Sequence, residues 1–167
     1  MEFKLRQWKI SDQDSLVKYA NNFEISKNLT DAFPHPYTID DAKRFIDMAT
    51  NGNPTHIFAI EVNGEAVGGI GIHPQSDINR KNAELGYWLG QPFWGNGIIS
   101  KAIPEIVKYG FDTFDIQRIY ARPYGHNIAS QKALEKNGFV LEAHIKQNLY
   151  KNDEYVDELI YAIRRKK

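Results

Sequence analysis

Asn63-Gly64 narrows the possible folds more than any other pair of residues in this chain. An apolar run, Ile57 to Val62, precedes it and a second, Glu65 to Ile72, follows it. A two-residue type I′ turn needs positive φ at both central positions, which Asn and Gly tolerate, and its twist matches that of paired strands. Two apolar runs joined in this way make an antiparallel hairpin.

Other elements are read around that hairpin. Phe3 to Trp8 forms a short strand, and Ser11-Asp12-Gln13-Asp14 offers a capping pattern for a helix carrying Leu16, Val17, Tyr19 and Ala20. Phe33-Pro34-His35-Pro36-Tyr37 is a loop, because each proline disfavours helix in the residue before it. Thr38-Ile39-Asp40-Asp41 repeats the cap and opens a second helix, which Asn51-Gly52-Asn53-Pro54 ends. Past the polar loop Pro74 to Asn82, Glu84 to Leu89 reads as a strand.

From there strand and helix alternate. Gly97 to Phe114 has helical apolar spacing, with Pro104 predicting a kink or a shifted start. Arg118 to Arg122 is a strand, Asn127 to Asn137 a helix, and Gly138 its C′ residue. Phe139 to Ile145 and Tyr155 to Ile163 close as strands through the turn Lys151-Asn152-Asp153-Glu154. The sum is an α/β (α+β) chain, a single domain over 1–167, with a mixed, largely antiparallel central sheet and helices on both faces.

Composition removes several functions. With 21 Lys+Arg against 21 Asp+Glu the chain is neutral, so it lacks the broad positive field of a nucleic-acid binder. It has no cysteine, which removes disulfides, thiolate zinc sites and a Cys nucleophile. His35, His56, His73, His126 and His144 show no metal-ligand spacing, so no metal is expected. Neither a signal-peptide core nor an apolar run of membrane-spanning length is found; the expectation is a cytoplasmic chain with no membrane partner.

Two stretches carry chemistry. Gly90-Gln91-Pro92-Phe93-Trp94-Gly95-Asn96-Gly97-Ile98 lies between a strand and a helix start. Glycines there let the backbone turn tightly and present the first helical amides, at the positive end of the helix dipole, to a phosphate or diphosphate. Glycine spacing alone fits a plain turn equally well. Ile98-Ile99-Ser100 lacks the lysine of a P-loop, and the hairpin upstream is wrong for a dinucleotide fold. The second stretch, His126-Asn127-Ile128-Ala129-Ser130, places a good N-cap and a serine in one helical turn. An ordinary cap with a tolerated serine fits the same residues.

Taken in order, Glu84-Leu85-Gly86-Tyr87-Trp88-Leu89, Phe93-Trp94-Gly95-Asn96-Gly97, Asn127-x-x-Ser130 and Lys136-Asn137-Gly138-Phe139 resemble the GNAT N-acetyltransferases. Within them the match is to the Rim-type branch, named for ribosomal-protein N-terminal acetylation. The resemblance spans nearly the whole chain and implies acetyl-CoA as co-substrate. It implies that the amides of Gly95, Asn96, Gly97 and Ile98, beside Trp94, hold the diphosphate. The family's loop begins with Gln or Arg where this chain has Pro92, with Gln91 one position early. Tyr87, Trp88 and Leu89 would pair through their backbone with the pantetheine arm, and Asn127 would contact the cofactor or fix the strand edge.

The implied reaction is direct attack of a primary amine on the thioester in a ternary complex. The acceptor is a protein N-terminal α-amine, a small amine or an amino acid. At neutral pH an α-amine of pKa about 8 is roughly a tenth neutral, far more than a lysine amine, and so asks less of a base. Glu84 is the candidate carboxylate, as base, substrate anchor or structural ion pair. Ser130 is the candidate donor to the leaving thiolate, with Tyr124 its rival. The loop bearing Phe33, His35 and Tyr37 is a candidate wall for the acceptor. A monomer or homodimer is expected, and the alternative function is a non-catalytic acyl-CoA-binding sensor or interaction module.

Overall fold

A computed structural model describes residues 1–167. Seven strands form one sheet: β1 Lys4–Gln7, β2 Ile57–Val62, β3 Glu65–Pro74, β4 Asn82–Leu89, β5 Arg118–Ala121, β6 Val140–Lys151 and β7 Glu154–Arg164. The helices are α1 Gln13–Ala20, α2 Phe23–Ser26, α3 Ile39–Thr50, α4 Ile98–Thr113 and α5 Ile128–Lys136. The strand order is β1-β2-β3-β4-β5-β7-β6. The pairs β1–β2, β2–β3, β5–β7 and β6–β7 are antiparallel and β4–β5 is parallel, which is the mixed sheet expected from the sequence. Internal contacts gather into two compact units, Met1–Gly71 with Tyr87–Ala102 and Ile72–Gly86 with Ile103–Lys167.

In the first unit the hairpin forms as read, with Asn63 at φ 50 and Gly64 at φ 85 and Val62 paired to Glu65. The α3 cap also forms: Asp41 receives the Thr38 amide at 2.8 Å, and its own amide donates to Thr38 Oγ1 at 3.3 Å. The Ser11 cap does not form. Ile10–Asp12 is a 3-10 turn, and α1 begins after Asp12. The reason is a buried carboxylate, that of Asp12, held by the partly buried Arg6 guanidinium. Arg6 grips both Asp12 carboxylate oxygens at 2.8 Å and also pairs with Glu61, while the Lys9 amide donates to Asp12 at 2.9 Å. Asp12 is 5% exposed, so leaving Arg6 without it would cost more than a surface cap returns.

Burial alone would raise the Asp12 carboxyl, but the Arg6 guanidinium and the Lys9 amide outweigh it and hold it below the usual range. A folded-state value below the unfolded one, about 3.9, contributes stability above that pH and loses it as the pH falls through the folded-state value. Asp12→Asn is therefore expected to lower the unfolding free energy by about 3 kcal/mol at neutral pH. Below about pH 4 the difference from wild type should narrow. Urea unfolding at pH 7 and pH 3 checks this, and an unchanged difference would remove the charge from the account.

In the second unit, Gly110 of α4 lies so close to the sheet that a Cβ there would sit 3.3 Å from Ile119 and from Ile72. Both isoleucines are fully buried, each contributing about 1.5–3 kcal/mol by leaving water. Pro104 does not shift the helix start. It lies inside α4 on the solvent side and withholds one N–H from the Ser100 carbonyl. α5 runs between Asn127 and Asn137 as read, and Gly138 at φ 83 takes the left-handed position after it.

The last hairpin is longer than expected. β6 reaches Lys151 rather than ending at Ile145, and Asn152 and Asp153 at φ 52 and 61 make a two-residue turn. Lys146-Gln147-Asn148, which reads as a strand end, is an irregularity inside the strand. Gln147 sits at φ 50, and its amide is taken by Asp157 at 2.9 Å.

Candidate active site

The end of β4 and the loop after it belong to the first unit. Gly68 on β3 lets the neighbouring backbone approach, since a Cβ there would come within 2.5 Å of the Trp88 carbonyl. Trp88 is buried, its ring 5.7 Å from Phe33, which is in turn 5.1 Å from Tyr37. Tyr37 is buried, and burial pushes its hydroxyl up to about 12. It supports Phe33 by packing, whereas Phe33 is half-buried and His35 is exposed against Phe23. Tyr87 is half-buried and Leu89 buried.

Beyond β4 the chain makes a 3-10 turn, Gln91–Phe93, and Trp94 closes it by donating Nε1–H to the Leu89 carbonyl at 2.8 Å. Asn96 Nδ2 returns to the Phe93 and Trp94 carbonyls at 3.1 and 3.2 Å. Gly95 at φ 78 and Gly97 at φ 72 stand in the left-handed region, and the space where a Cβ would project is open at both. α4 follows at once. Its Lys101 amide bonds the Gly97 carbonyl at 3.1 Å, so the amides of Ile98 and Ile99 lie ahead of the helix's own ladder. Such amides, with the positive end of a 16-residue helix behind them, suit a diphosphate. The loop thus fits the group the sequence implied.

Within the second unit, β4 and β5 pair at Asn82↔Arg118, Ala83↔Ile119 and Glu84↔Tyr120, and the register ends there. The chain leaving β5 turns to β7 instead. Leu159 donates to the Pro123 carbonyl at 3.0 Å, Tyr124 bridges Glu158, and the Gly125 amide bonds the Asp157 carbonyl at 2.9 Å. Gly125 is required at that contact, because a Cβ would fall 2.8 Å from that of Asp157.

Glu84 sits at the last paired position. Arg122 holds it through Nε and Nη2 at 3.0 and 3.2 Å. Of the three roles left open for Glu84, the ion pair is therefore present. The Arg122 guanidinium is held above its ordinary value by that hydrogen bond. Burial, then the charge of Glu84, raises the Tyr120 hydroxyl. Arg122 also reaches Glu158 at 3.8 Å, a buried acid that the sequence reading did not single out. Its only sequence signal is a carboxylate at the head of the apolar run Leu159 to Ala162.

At the start of α5, Asn127 Oδ1 receives the Ser130 amide at 3.3 Å, which makes Asn127 the helix cap. Ser130 is half-buried, and Tyr124 is buried with its ring 6.0 Å from His126. No group of His, Cys, Asp and Glu side chains is arranged to hold a metal. No helix is long and apolar enough to cross a membrane.

A seven-stranded mixed sheet, a glycine loop opening the longest helix and a parallel pair that parts after three residues define an acetyltransferase architecture. The family model for the acetyltransferase (GNAT) domain matches residues 2–140, and the chain belongs to that family. It is similar to the ribosomal-protein-serine acetyltransferase of Escherichia coli (strain K12), 33% identical over 106 residues, 64% of this chain and 59% of that one. The aligned region spans little more than half the length of three curated relatives, and 90% of the uncharacterized N-acetyltransferase p20 of Bacillus licheniformis at 25% identity. Two solved structures share the fold. RimL, a ribosomal-protein α-N-acetyltransferase in complex with coenzyme A, matches at TM-score 0.85 and 24% identity, over 97% of this chain and 93% of that one. The microcin self-immunity acetyltransferase MccE, in complex with acetyl-CoA and AMP, matches at TM-score 0.80 and 26% identity, over 98% and 93%.

Proposed function

We propose that residues 1–167 act as one domain, an acetyl-CoA-dependent N-acetyltransferase of the Rim type. It would move acetyl to a primary amine, either a protein N-terminal α-amine or a small amine or amino acid. The observation that carries this reading is the end of the β4–β5 register at Glu84↔Tyr120, five residues before β4 itself ends at Leu89. Backbone groups of Tyr87 to Leu89 along that edge suit the amides of a pantetheine arm, as an added strand would. The amides of Gly95 to Ile98 take the diphosphate.

The chemistry then needs little from side chains. A neutral amine attacks the thioester carbonyl, so the C–N bond forms and the C–S bond breaks. A β4 amide stabilises the charge that develops on oxygen. Glu84 takes a proton from the acceptor ammonium before attack, and solvent takes the proton that the nitrogen gives up once the C–N bond has formed. Ser130 O–H supports the departing thiolate by a hydrogen bond, and the thiolate is protonated from solvent through that hydroxyl. The setting is proposed as cytoplasmic, with the enzyme a monomer or homodimer and with no metal, nucleic acid or membrane partner.

Release of free thiol from acetyl-CoA, measured against amino acids, N-terminal peptides and polyamines, tests the reading. Release with α-amines is expected. Tight acetyl-CoA binding with no release across the panel would make the chain a non-catalytic acyl-CoA-binding module. Ser130→Ala should cut turnover by about 10²-fold without a comparable loss of acetyl-CoA affinity. If Tyr124→Phe shows that loss and Ser130→Ala does not, the donor is Tyr124.

A further inference from the structure

The second unit carries a cavity of about 280 Å³ lined by Gln75, Asn79, Asn82, Arg118, Tyr120, Arg122, Glu158 and Ile160. Drug-sized ligands occupy about 300–1,000 Å³, so this cavity takes the end of a ligand rather than the whole of one.

Its charges are unequally satisfied. Arg118 is committed to Glu142 at 2.8 Å, to Asn82 Oδ1 at 2.9 Å and to the face of Tyr120. Arg122 is committed to Glu84 by two bonds. Glu158 is different. It is only 9% exposed, yet its carboxylate receives one long bond, from Asn148 Nδ2 at 3.4 Å, and lies 3.8 Å from Arg122. An ionised carboxylate offers about four acceptor positions, and a buried one costs free energy until they are filled. Gln75 spends its amide N–H on the His73 carbonyl at 3.0 Å and leaves its oxygen as an acceptor. The buried acceptor capacity of the cavity is thus centred on one carboxylate, Glu158, whose nearest cation, Arg122 Nη1, stands 3.8 Å away, beyond hydrogen-bond distance. The complementary group is a small cation with several N–H donors. A polyamine would need a further carboxylate beside the cavity, and Glu142 is held by Arg118 and Arg164.

We infer that this cavity docks the acceptor and that Glu158 anchors its primary ammonium, selecting a singly charged amine such as a peptide α-amine over a polyamine. The inference rests on the acetyltransferase reading for the fate of the bound amine, but amine binding itself is measurable without turnover. Isothermal titration of the whole chain, with coenzyme A present, would use alanyl-alanine amide, its N-acetyl form and spermidine. The free dipeptide amide should bind, and the other two should bind at least tenfold more weakly.

Glu158→Gln should weaken the dipeptide by on the order of 10- to 100-fold, the value of a charge-assisted bond. Coenzyme A binding should be unaffected. Asn79→Trp, at an exposed rim position where folding is not at stake, should block the cavity and weaken the dipeptide likewise. Unchanged dipeptide affinity in both variants, or equal binding of the N-acetyl form, overturns the inference. Thiol release separates the two readings. Glu158-dependent binding without acetyl transfer leaves the anchor standing and removes the enzyme. Transfer that is indifferent to Glu158→Gln does the reverse.

Discussion

Gly97→Val is expected to weaken acetyl-CoA binding at least about 100-fold. Gly97 is at φ 72, where an L residue pays about 1–2 kcal/mol and a β-branched one more. The space around it is open, so a side chain would meet nothing and the penalty lies in the backbone alone. Valine relieves that strain by rotating φ to negative values, which turns the amides at the α4 entrance away from their common focus. Losing two hydrogen bonds to an anionic diphosphate, each about 1.5–3 kcal/mol, gives the stated factor or more. Gly64→Val is the matched comparison, since Gly64 has φ 85 and open space as well, but in the β2–β3 turn. Both variants should lose similar stability, and only Gly97→Val should lose affinity. Isothermal titration with acetyl-CoA beside urea unfolding of each variant reads the two effects apart. Wild-type affinity in Gly97→Val would mean that the loop holds no diphosphate.

That loop was legible in the sequence because its signal is local: glycine is the residue that takes positive φ without cost, and a helix start is written in the few residues around it. The β2–β3 turn and the α5 cap were readable for the same reason. Elements fixed by distant partners were not. Ser11 looked like a cap, but Arg6 on β1 needed Asp12 more than α1 needed a hydroxyl. The sequence ends β6 at Ile145, because the polar run Lys146-Gln147-Asn148 conceals an irregularity held by Asp157 on the opposite strand. Glu158 was passed over on similar grounds. Position in the chain marks it as one more charged strand residue, and only the pairing of β5 with β7 brings it beside Arg122. Glu84 stands out as a candidate through the resemblance and the alternation along β4, while its bidentate partner, 38 residues away, comes only with the fold.

Glu84→Gln is expected to lower turnover by about 10²-fold while acetyl-CoA affinity holds. The ion pair with Arg122 gives the obvious objection, since glutamine also breaks it by turning an N–H toward the guanidinium. Two measurements decide between proton acceptor and structural partner. Arg122→Met removes the same ion pair but keeps the carboxylate. The pair is partly exposed, at 44% and 28% of the two side chains, so the stability lost should be small, about 0–1 kcal/mol, and turnover should fall less than tenfold. A pH series gives the second. If Glu84 takes a proton from the acceptor ammonium, the defect of Glu84→Gln should shrink as the pH rises past the α-amine value of about 8, where solvent has already removed that proton. A structural defect would stay constant across the series. Equal losses in Arg122→Met and Glu84→Gln, flat with pH, would leave Glu84 as a partner for Arg122 and return the search for the proton acceptor to water.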